Sequence, residues 1–276
     1  MGHVALQRVV VRMLFDGAFA DRVYADPEAT LSGLALTAVE RGWLVGPDRR
    51  AYGVDPLRRH RSLQALLEEH PVSAAALAAA GVAVRSHDAF FSGPRFHGAV
   101  QARGSLAAAF GEHLAAAARV PLQRGVIALE RAMAEARRGV AAPWADGAAL
   151  RLVGTARVVA CPHGTLEAYG VIRAALERGG RSPLETLLAG PVRLPRTPVD
   201  PGQAEHVLVE ATAGQGDAGA ALSFASDELA TLLTAARPGA TREALLATLG
   251  DLGLDAAEGA ELLDELVADG LLERAG

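Results

Sequence analysis

The chain has 276 residues, half of them hydrophobic and only 4% aromatic, with a formal charge of −5. This length allows a sizeable core and two domains, and so few aromatic residues predict a core built mainly from Leu, Val and Ala. The single cysteine, Cys161, excludes an intrachain disulfide, and no signal peptide or run of about 18 apolar residues is visible, so a cytoplasmic protein without a membrane partner is expected.

The first part of the chain shows the periodicity of helices. Its first apolar stripe consists of Leu6, Val9, Val10, Met13 and Leu14. Thr37 and Glu40 have the spacing of a capping box, in which a hydroxyl and a carboxylate satisfy free N–H groups at a helix start. Pro121 begins a long helix that Gly139 ends. We therefore predict an all-α helical domain over residues 1–145.

The pattern changes after residue 145 to short runs rich in β-branched residues, which indicate strands. The predicted strands cover residues 150–153, 156–161, 206–211 and 220–224. Pro162 to Gly164 is predicted as a turn with Thr165 capping the next helix, residues 190–203 as a Pro-rich linker, and 214–219 as a hairpin loop. Residues 146–276 should thus form an α+β domain, which makes the fold class α+β.

The last part of the chain runs strand, strand, three helices, strand. Ser226, Thr241 and Asp255 are the predicted helix caps, and Gly270 is the residue predicted to follow the last helix. This order is the layout of a winged helix, so a winged-helix-like module is predicted at about residues 204–276.

The charge of this module disfavours DNA as its ligand. Residues 226–276 contain eleven acidic residues against three arginines, a formal charge of −8. A module that binds phosphates needs cations on its recognition face, because their neutralisation supplies most of the non-specific affinity. The charge favours a peptide or a protein as the ligand instead.

No catalytic or metal-binding residue is predicted. The eight histidines have no pair at ligand spacing, and neither a Walker A nor a GxSxG motif is present. Cys161 and His163 would share one face of a strand as a thiol–imidazole pair, but Pro162 lies between them, and a lone cysteine more often behaves as a small buried hydrophobe.

One basic cluster is a candidate binding surface. It consists of Arg49, Arg50, Arg58, Arg59 and Arg61. Such a cluster can meet nucleic acid or an acidic protein. Aromatic residues that could stack on bases are sparse nearby, so we favour a protein partner.

Several segments resemble a known family. They are Phe90–His97 (FFSGPRFH), Gly104–Phe110, Leu129–Arg138 (LERAMAEARR), Pro162–Tyr169 (PHGTLEAY) and His206–Ala211 (HVLVEA). Together they are similar to the partner subunits of multinuclear non-heme iron oxidative enzymes, which modify precursor peptides in methanobactin biosynthesis and related ribosomal-peptide (RiPP) pathways. The last part of the chain separately resembles the peptide-recognition elements of such pathways, including the small chaperone of pyrroloquinoline quinone synthesis.

The resemblance implies a non-catalytic subunit without a cofactor of its own. The iron would sit in a separate TIM-barrel-type enzyme, with which this chain would form a heterodimer, and the chain would help to recruit the precursor peptide. A leader segment would add as a strand beside residues 220–224 and contact the last helix. The expected peptide-binding residues are Ala220, Leu222, Phe224, Glu261, Leu262 and Glu265. The acidic face would favour a leader with Lys or Arg, although the module could dock the enzyme instead.

Two alternatives stay open on the sequence. One is a transcription regulator that uses the winged helix on DNA and the helical part as a sensor. The other is an enzyme with an unrecognised site.

Overall fold

A computed structural model describes residues 2–53, 55, 57–212 and 219–275. The protein is 61% helical with 13% strand, helical at its N-terminal side and with small antiparallel sheets toward its C-terminal side. The predicted α+β class is therefore confirmed. Among the residues described, no helix is both long and apolar enough to cross a membrane.

Among the residues that the structure describes, nine α-helices precede residue 118. They are α1 (Gly2–Phe15), α2 (Gly17–Ala25), α3 (Pro27–Thr30), α4 (Ala38–Val45), α5 (Arg58–Glu69), α6 (Pro71–Ala79), α7 (Val84–Asp88), α8 (Pro94–Ala102) and α9 (Leu106–Ala117), with 3-10 turns at Arg49–Gly53 and Ala89–Ser92. The predicted capping box is present at the start of α4, where the Thr37 amide donates to Glu40 at 2.8 Å and the Glu40 amide donates to the Thr37 hydroxyl at 3.2 Å.

Helices and strands mix from residue 121 onward. They are α10 (Pro121–Arg137), β1 (Leu150–Leu152), β2 (Ala156–His163), α11 (Thr165–Gly179), α12 (Pro183–Leu188), β3 (Asp200–Thr212), β4 (Gly219–Ala225), α13 (Asp227–Ala236), α14 (Arg242–Asp251), α15 (Ala256–Ala268) and β5 (Leu272–Arg274). β3 begins at Asp200, inside the stretch predicted as a linker. The predicted hairpin loop lies outside the described residues, except for Gly219.

The chain divides into two compact units whose boundaries differ from those predicted at residues 145 and 146. The helical unit comprises Met1–Ala117 and Gly180–Arg193, and the mixed unit comprises Ala118–Gly179 and Leu194–Gly276. α10 belongs to the mixed unit because it packs on β2 and β3, whereas α12 packs on α5 and α6 of the helical unit. An amphipathic pattern shows that one helix face is buried, but it does not show which element covers that face.

The core of the helical unit contains a cluster of phenylalanines. Phe90 lies 5.2 Å from Phe110 and 5.5 Å from Phe96 between ring centroids, and Phe91 lies 5.2 Å from Phe96. All four rings are fully buried, and Phe15 packs against Phe91 and Phe96. The few aromatic residues of the chain are thus concentrated here, so the predicted core of Leu, Val and Ala is incomplete for this unit.

The described residues of the mixed unit form two antiparallel sheets. The larger sheet has the strand order β2-β3-β4, and the smaller one pairs β1 with β5. Side chains of directly opposite residues lie on one face of a sheet. The face with Arg157, Val209 and Leu222 contacts α10, because Arg157 is bonded to Glu135 of α10 at 3.1 Å. The other face, with Leu208, belongs to the core formed by α13, α14 and α15.

The predicted order of two strands, three helices and a strand is present from β3 to β5. The pairing within it is different from a self-contained module at residues 204–276. β5 pairs with β1, with Leu272 opposite Leu152, so the last strand finds its partner in residues 150–152. Ala240, between α13 and α14, also bridges to Leu150. Ser226, Thr241 and Asp255 cap the three helices as predicted, and Gly270 has the expected positive φ of 74°.

Candidate functional site

β4 is an edge strand of the larger sheet. All seven of its residues pair with β3, from Gly219 opposite Thr212 to Ala225 opposite His206. Within the described part of the chain, no strand pairs with the outer side of β4. Its outward N–H and C=O groups can therefore accept a further strand.

β4 lacks three features that commonly protect an edge strand. Charged residues, proline and bulges discourage pairing at an edge, and β4 (GAALSFA) contains no charge, no proline and no shift of register. The opposite edge strand, β2, contains Pro162 and a register shift between Pro162 and His163. Among the strands that the structure describes, β4 is therefore the edge of this sheet with fewer features that discourage strand addition.

Phe224 gives this edge an apolar side chain in contact with solvent. Its side chain is 64% exposed, whereas five of the six phenylalanines of the helical unit are buried and Phe15 is half-buried. Phe224 lies opposite Val207, and Leu222 lies opposite Val209, on the face of the sheet that α10 covers. Ala220 has the same phase as Leu222. The three β4 residues predicted to bind peptide thus point to the α10 side.

The other three predicted peptide-binding residues lie on α15. Glu261 and Glu265 are exposed, while Leu262 is half-buried against the core formed by α13, α14 and α15, which we call the helix layer. This layer covers the opposite face of the sheet from α10. The six residues therefore lie on two different sides of the sheet. α15 packs on α14 and β5, so contact of its residues with a strand added to β4 stays a prediction.

Sequence reasoning missed the β4 residues on the helix side. Ala221, Ser223 and Ala225 lie opposite Glu210, Leu208 and His206. Of these, Ala221 and Ser223 are exposed and Ala225 is buried in the helix-layer core. The missed signal is the phase of the strand, because a shift by one residue exchanges the two faces.

The exposed side of α15 carries unneutralised acids. Glu261, Glu265 and Asp269 follow one another at four-residue spacing, so they share one face of the helix. Within the described chain, no basic side chain lies within 4.0 Å of any of the three. Asp264 behaves differently, since hydrogen bonds from Arg242, at 2.9 and 3.0 Å, hold its pKa below the usual value.

The three arginines of residues 226–276, the acidic segment, each lie within 4.0 Å of a carboxylate. Arg242 and Arg274 both contact Asp264, and Arg237 lies 3.9 Å from Glu135 of α10. In the described structure, each of these three arginines thus has a carboxylate within 4.0 Å. Its negative charge is the dominant feature for any ligand.

The predicted basic cluster is largely used within the helical unit. Arg59 binds Asp88 through two nitrogens, at 2.8 and 3.0 Å, and donates to the Phe15 carbonyl at 2.8 Å. Arg58 donates to the Leu14 carbonyl at 3.1 Å. These contacts join α5 to the end of α1 and to α7, so both side chains have structural partners.

The remaining arginines of the cluster differ in their freedom. Arg49 binds Asp21 at 2.7 Å, and Arg61 binds Asp55. Arg50 is exposed, and no ion pair of its side chain occurs among the residues that the structure describes. The five arginines are therefore not one free surface, and Arg50 is the member with an unengaged charge.

Cys161 lies in a buried site that opposes thiolate chemistry. Its side chain is 5% exposed, and burial, with a smaller contribution from the charge of Glu205, raises the pKa of the thiol to about 12. His163 is exposed, and its Nδ1 lies 3.6 Å from Glu205 Oε2. A thiol with this pKa stays protonated near neutral pH, so it is not an activated nucleophile.

Glu205 has a structural role that the sequence did not reveal. Its carboxylate accepts from the Gly164 amide at 2.9 Å and from the Leu166 amide at 2.7 Å, which caps α11. Thr165, the predicted cap, instead donates its hydroxyl to the Pro162 carbonyl at 2.6 Å. The predicted turn is also displaced, because β2 continues through His163 and only Gly164 takes a positive φ.

The histidines do not assemble into a metal site. Across the described residues, no group of three or more His, Cys, Asp or Glu side chains is arranged to hold a metal ion. Three histidines surround Phe110 instead, with ring centroids at 5.9 Å for His70, 6.3 Å for His87 and 6.0 Å for His113. They contribute to the aromatic core of the helical unit.

The chain matches no protein-family model, and no curated protein is significantly similar to it. The resemblance to partner subunits of iron oxidases therefore stays a prediction that rests on the segments quoted above.

Proposed function

We propose that this chain is a non-catalytic partner subunit that binds a multinuclear iron peptide-modifying oxidase and recruits its ribosomal precursor peptide. The observation that carries the proposal is the unprotected edge of β4. An extended leader peptide would pair with this edge, and main-chain hydrogen bonds would supply affinity.

Side chains on the two faces of the added strand would supply selection. On one face, Phe224 offers an exposed aromatic ring, and aromatic anchors commonly dominate peptide and protein interfaces. On the other face, Ala221 and Ser223 leave space beside the helix layer. Glu261 and Glu265 favour a leader that contains Lys or Arg, because opposite charges raise the rate of association and select the partner.

The oxidase itself would supply the iron and the chemistry. Arg50 is the residue of the basic cluster available for an acidic surface of that enzyme, because the other four arginines contact carboxylates or carbonyls of the helical unit.

Peptide recognition is tested with two synthetic strands of ten residues, one alternating Val and Lys and the other alternating Val and Glu. We expect the Lys peptide to bind and to perturb the amide signals of β4 in NMR spectra. Phe224→Ala should weaken its binding about tenfold, roughly 1.4 kcal/mol. Leu188→Ala is the matched control, since Leu188 is 61% exposed but lies in the helical unit.

Three results would contradict peptide recognition at β4. They are equal binding of the two peptides, an equal effect of the two alanine variants, and shifts confined to residues outside β4. Self-association of the chain that Phe224→Ala abolishes would instead assign the edge to a second copy.

Enzyme binding is tested by co-expression with the product of a neighbouring oxidase gene. We expect a complex of both chains that contains iron, and loss of the iron when this chain is purified alone. Failure of the two chains to co-purify would overturn the partner role. Binding of the chain to duplex DNA is measured separately at low salt. Slower migration of the DNA in a gel would favour the transcription-regulator alternative instead.

A further inference from the structure

A cavity of about 640 Å³ lies within the helical unit. It is bordered by α1, α8, Phe19 of α2 and the segment around Leu34. Cavities of roughly 300–1,000 Å³ are the usual size of small-molecule sites. No part of the proposed function uses this cavity.

Basic and polar side chains line the cavity from two helices. Arg8 and Arg12 are four residues apart on α1, and His97 and Gln101 are four residues apart on α8. Residues at this spacing share one face of a helix. Each helix thus presents a polar pair to the same space.

Arg12 is held in place without an anionic partner. Its guanidinium carbon lies 3.9 Å from the centroid of the Phe19 ring, a cation–π contact that fixes the group. Its Nε is buried without a hydrogen-bond partner. Within the described residues, no carboxylate lies within 4.0 Å of Arg12 or Arg8, unlike Arg49 or Arg59.

His97 is unsatisfied in the same region. Both of its ring nitrogens are buried and lack a hydrogen-bond partner among the described residues. Burial, followed by the charge of Arg12, lowers the pKa of His97, while Asp16 opposes this effect. A buried polar group without a partner is unfavourable, and a ligand that supplies the partner can offset this cost.

The rest of the wall is apolar. Val9, Phe19 and Leu34 contribute hydrocarbon surface to the cavity. We propose that this cavity binds a small molecule with one oxyanion group, carboxylate or phosphate, and an apolar body. The oxyanion would lie against Arg12 and Arg8, and the apolar body would contact Val9, Phe19 and Leu34.

The test uses the full chain with hexanoate, hexyl phosphate and hexylammonium, measured by calorimetry and by thermal unfolding. At least one of the two anions should bind with a dissociation constant at or below about 1 mM and raise the melting temperature. The preferred anion identifies carboxylate or phosphate as the ligand group. Hexylammonium has the same apolar body with the opposite charge, so it should not bind.

Variants locate the site. Arg12→Gln should weaken binding of the preferred anion at least tenfold. Arg85→Gln is the matched control, because Arg85 is exposed in the same unit and does not line the cavity. If Arg12→Gln loses its helical circular dichroism, Arg8→Gln replaces it, since Arg8 is exposed on the surface of α1.

Four outcomes would overturn the inference. Neither anion binds with a dissociation constant at or below about 1 mM. Hexylammonium binds as well as the anions. The Arg85→Gln variant loses as much affinity as the cavity variant. The folded cavity variant keeps the affinity of the unaltered protein.

Discussion

Apart from histidine, every basic side chain of this protein is an arginine. The arginine side chains lie in contrasting environments. Arg59 is enclosed by Asp88 and the Phe15 carbonyl, Arg12 lies on an aromatic ring, and Arg50 projects into solvent. Position in the sequence groups Arg50 with Arg59, but their surroundings give them different roles.

Arg59→Ala is expected to destabilise the helical unit. The change leaves Asp88 and the Phe15 carbonyl without their donor, and loss of hydrogen bonds to charged groups costs about 2–3 kcal/mol. Arg50→Ala should change stability by less than about 0.5 kcal/mol, because the side chain is exposed. Urea unfolding followed by circular dichroism measures both. Equal losses in the two variants would show that Arg59 has no special structural role.

His87 makes the helical unit sensitive to acid. Burial, assisted by nearby His113, lowers the pKa of His87 to about 4, so the folded state keeps it neutral. In the unfolded chain, His87 takes up a proton near pH 6.5. Proton uptake stabilises the unfolded state, so the free energy of unfolding decreases as the pH falls from about 6.5 to 4. The folded protein should lose about 2–3 kcal/mol over this range from His87.

Unfolding measured between pH 7 and pH 4 tests this titration. His87→Leu should flatten the pH dependence, since leucine takes up no proton. His60→Leu is the control, because His60 is exposed on α5. A pH dependence that His87→Leu leaves unchanged would assign the acid sensitivity to other groups.

At the scale of elements, α10 and α11 meet at a glycine. A Cβ added to Gly125 of α10 would lie 2.5 Å from Thr165 Oγ1 and 2.6 Å from Thr165 Cγ2. Thr165 has little freedom to move because its hydroxyl donates to the Pro162 carbonyl. The packing of these helices therefore depends on the absence of a side chain at residue 125.

Gly125→Ala should destabilise the mixed unit by about 1–3 kcal/mol through this overlap. Gly170→Ala is a matched control on α11, where no atom lies within 4 Å of the added Cβ. In an open helix position, alanine is favoured over glycine by about 0.5–1 kcal/mol, so this variant should be more stable. Thermal unfolding gives the sign of each change. Stabilisation by both variants would contradict the close contact.

Local signals predicted the elements well, and long-range contacts were beyond them. The capping boxes at Thr37 and Asp255 involve residues three apart, so the sequence contains the whole interaction. The Glu205 cap of α11 joins residues about forty positions apart, and nothing near Gly164 in the sequence indicates it. The phase of β4 likewise depends on its pairing with β3, which decides the face to which Phe224 belongs.

At the scale of the molecule, each unit is assembled from separated parts of the chain. The helical unit includes α12, whose Leu184 and Leu187 are buried, and the mixed unit includes α10. The change of residue pattern near residue 145 predicts a domain boundary there. A cut at that residue does not separate the two compact units, because each of them includes residues from both sides of it.

A fragment of residues 1–145 should be less stable than one that joins residues 1–117 to 180–193 through a Gly/Ser linker. The first fragment lacks two buried leucines, each worth about 1.5–3 kcal/mol, and exposes the apolar face of α10. Their loss is a large share of a total stability of about 5–15 kcal/mol. Thermal unfolding compares the two. A higher melting temperature for the 1–145 fragment would contradict the observed units.

The pairing of β1 with β5 also sets an order for folding during synthesis. Arg151 of β1 bonds Glu273 of β5 at 2.7 Å, across 122 residues. A ribosome adds about 5–20 residues per second, so β1 waits roughly 6–24 s for its partner. The helical unit has all of its parts once Arg193 has emerged, well before β5. We expect nascent chains to acquire protease resistance first in the helical unit and later in the mixed unit. The edge strand β4 therefore belongs to the unit that completes its folding last.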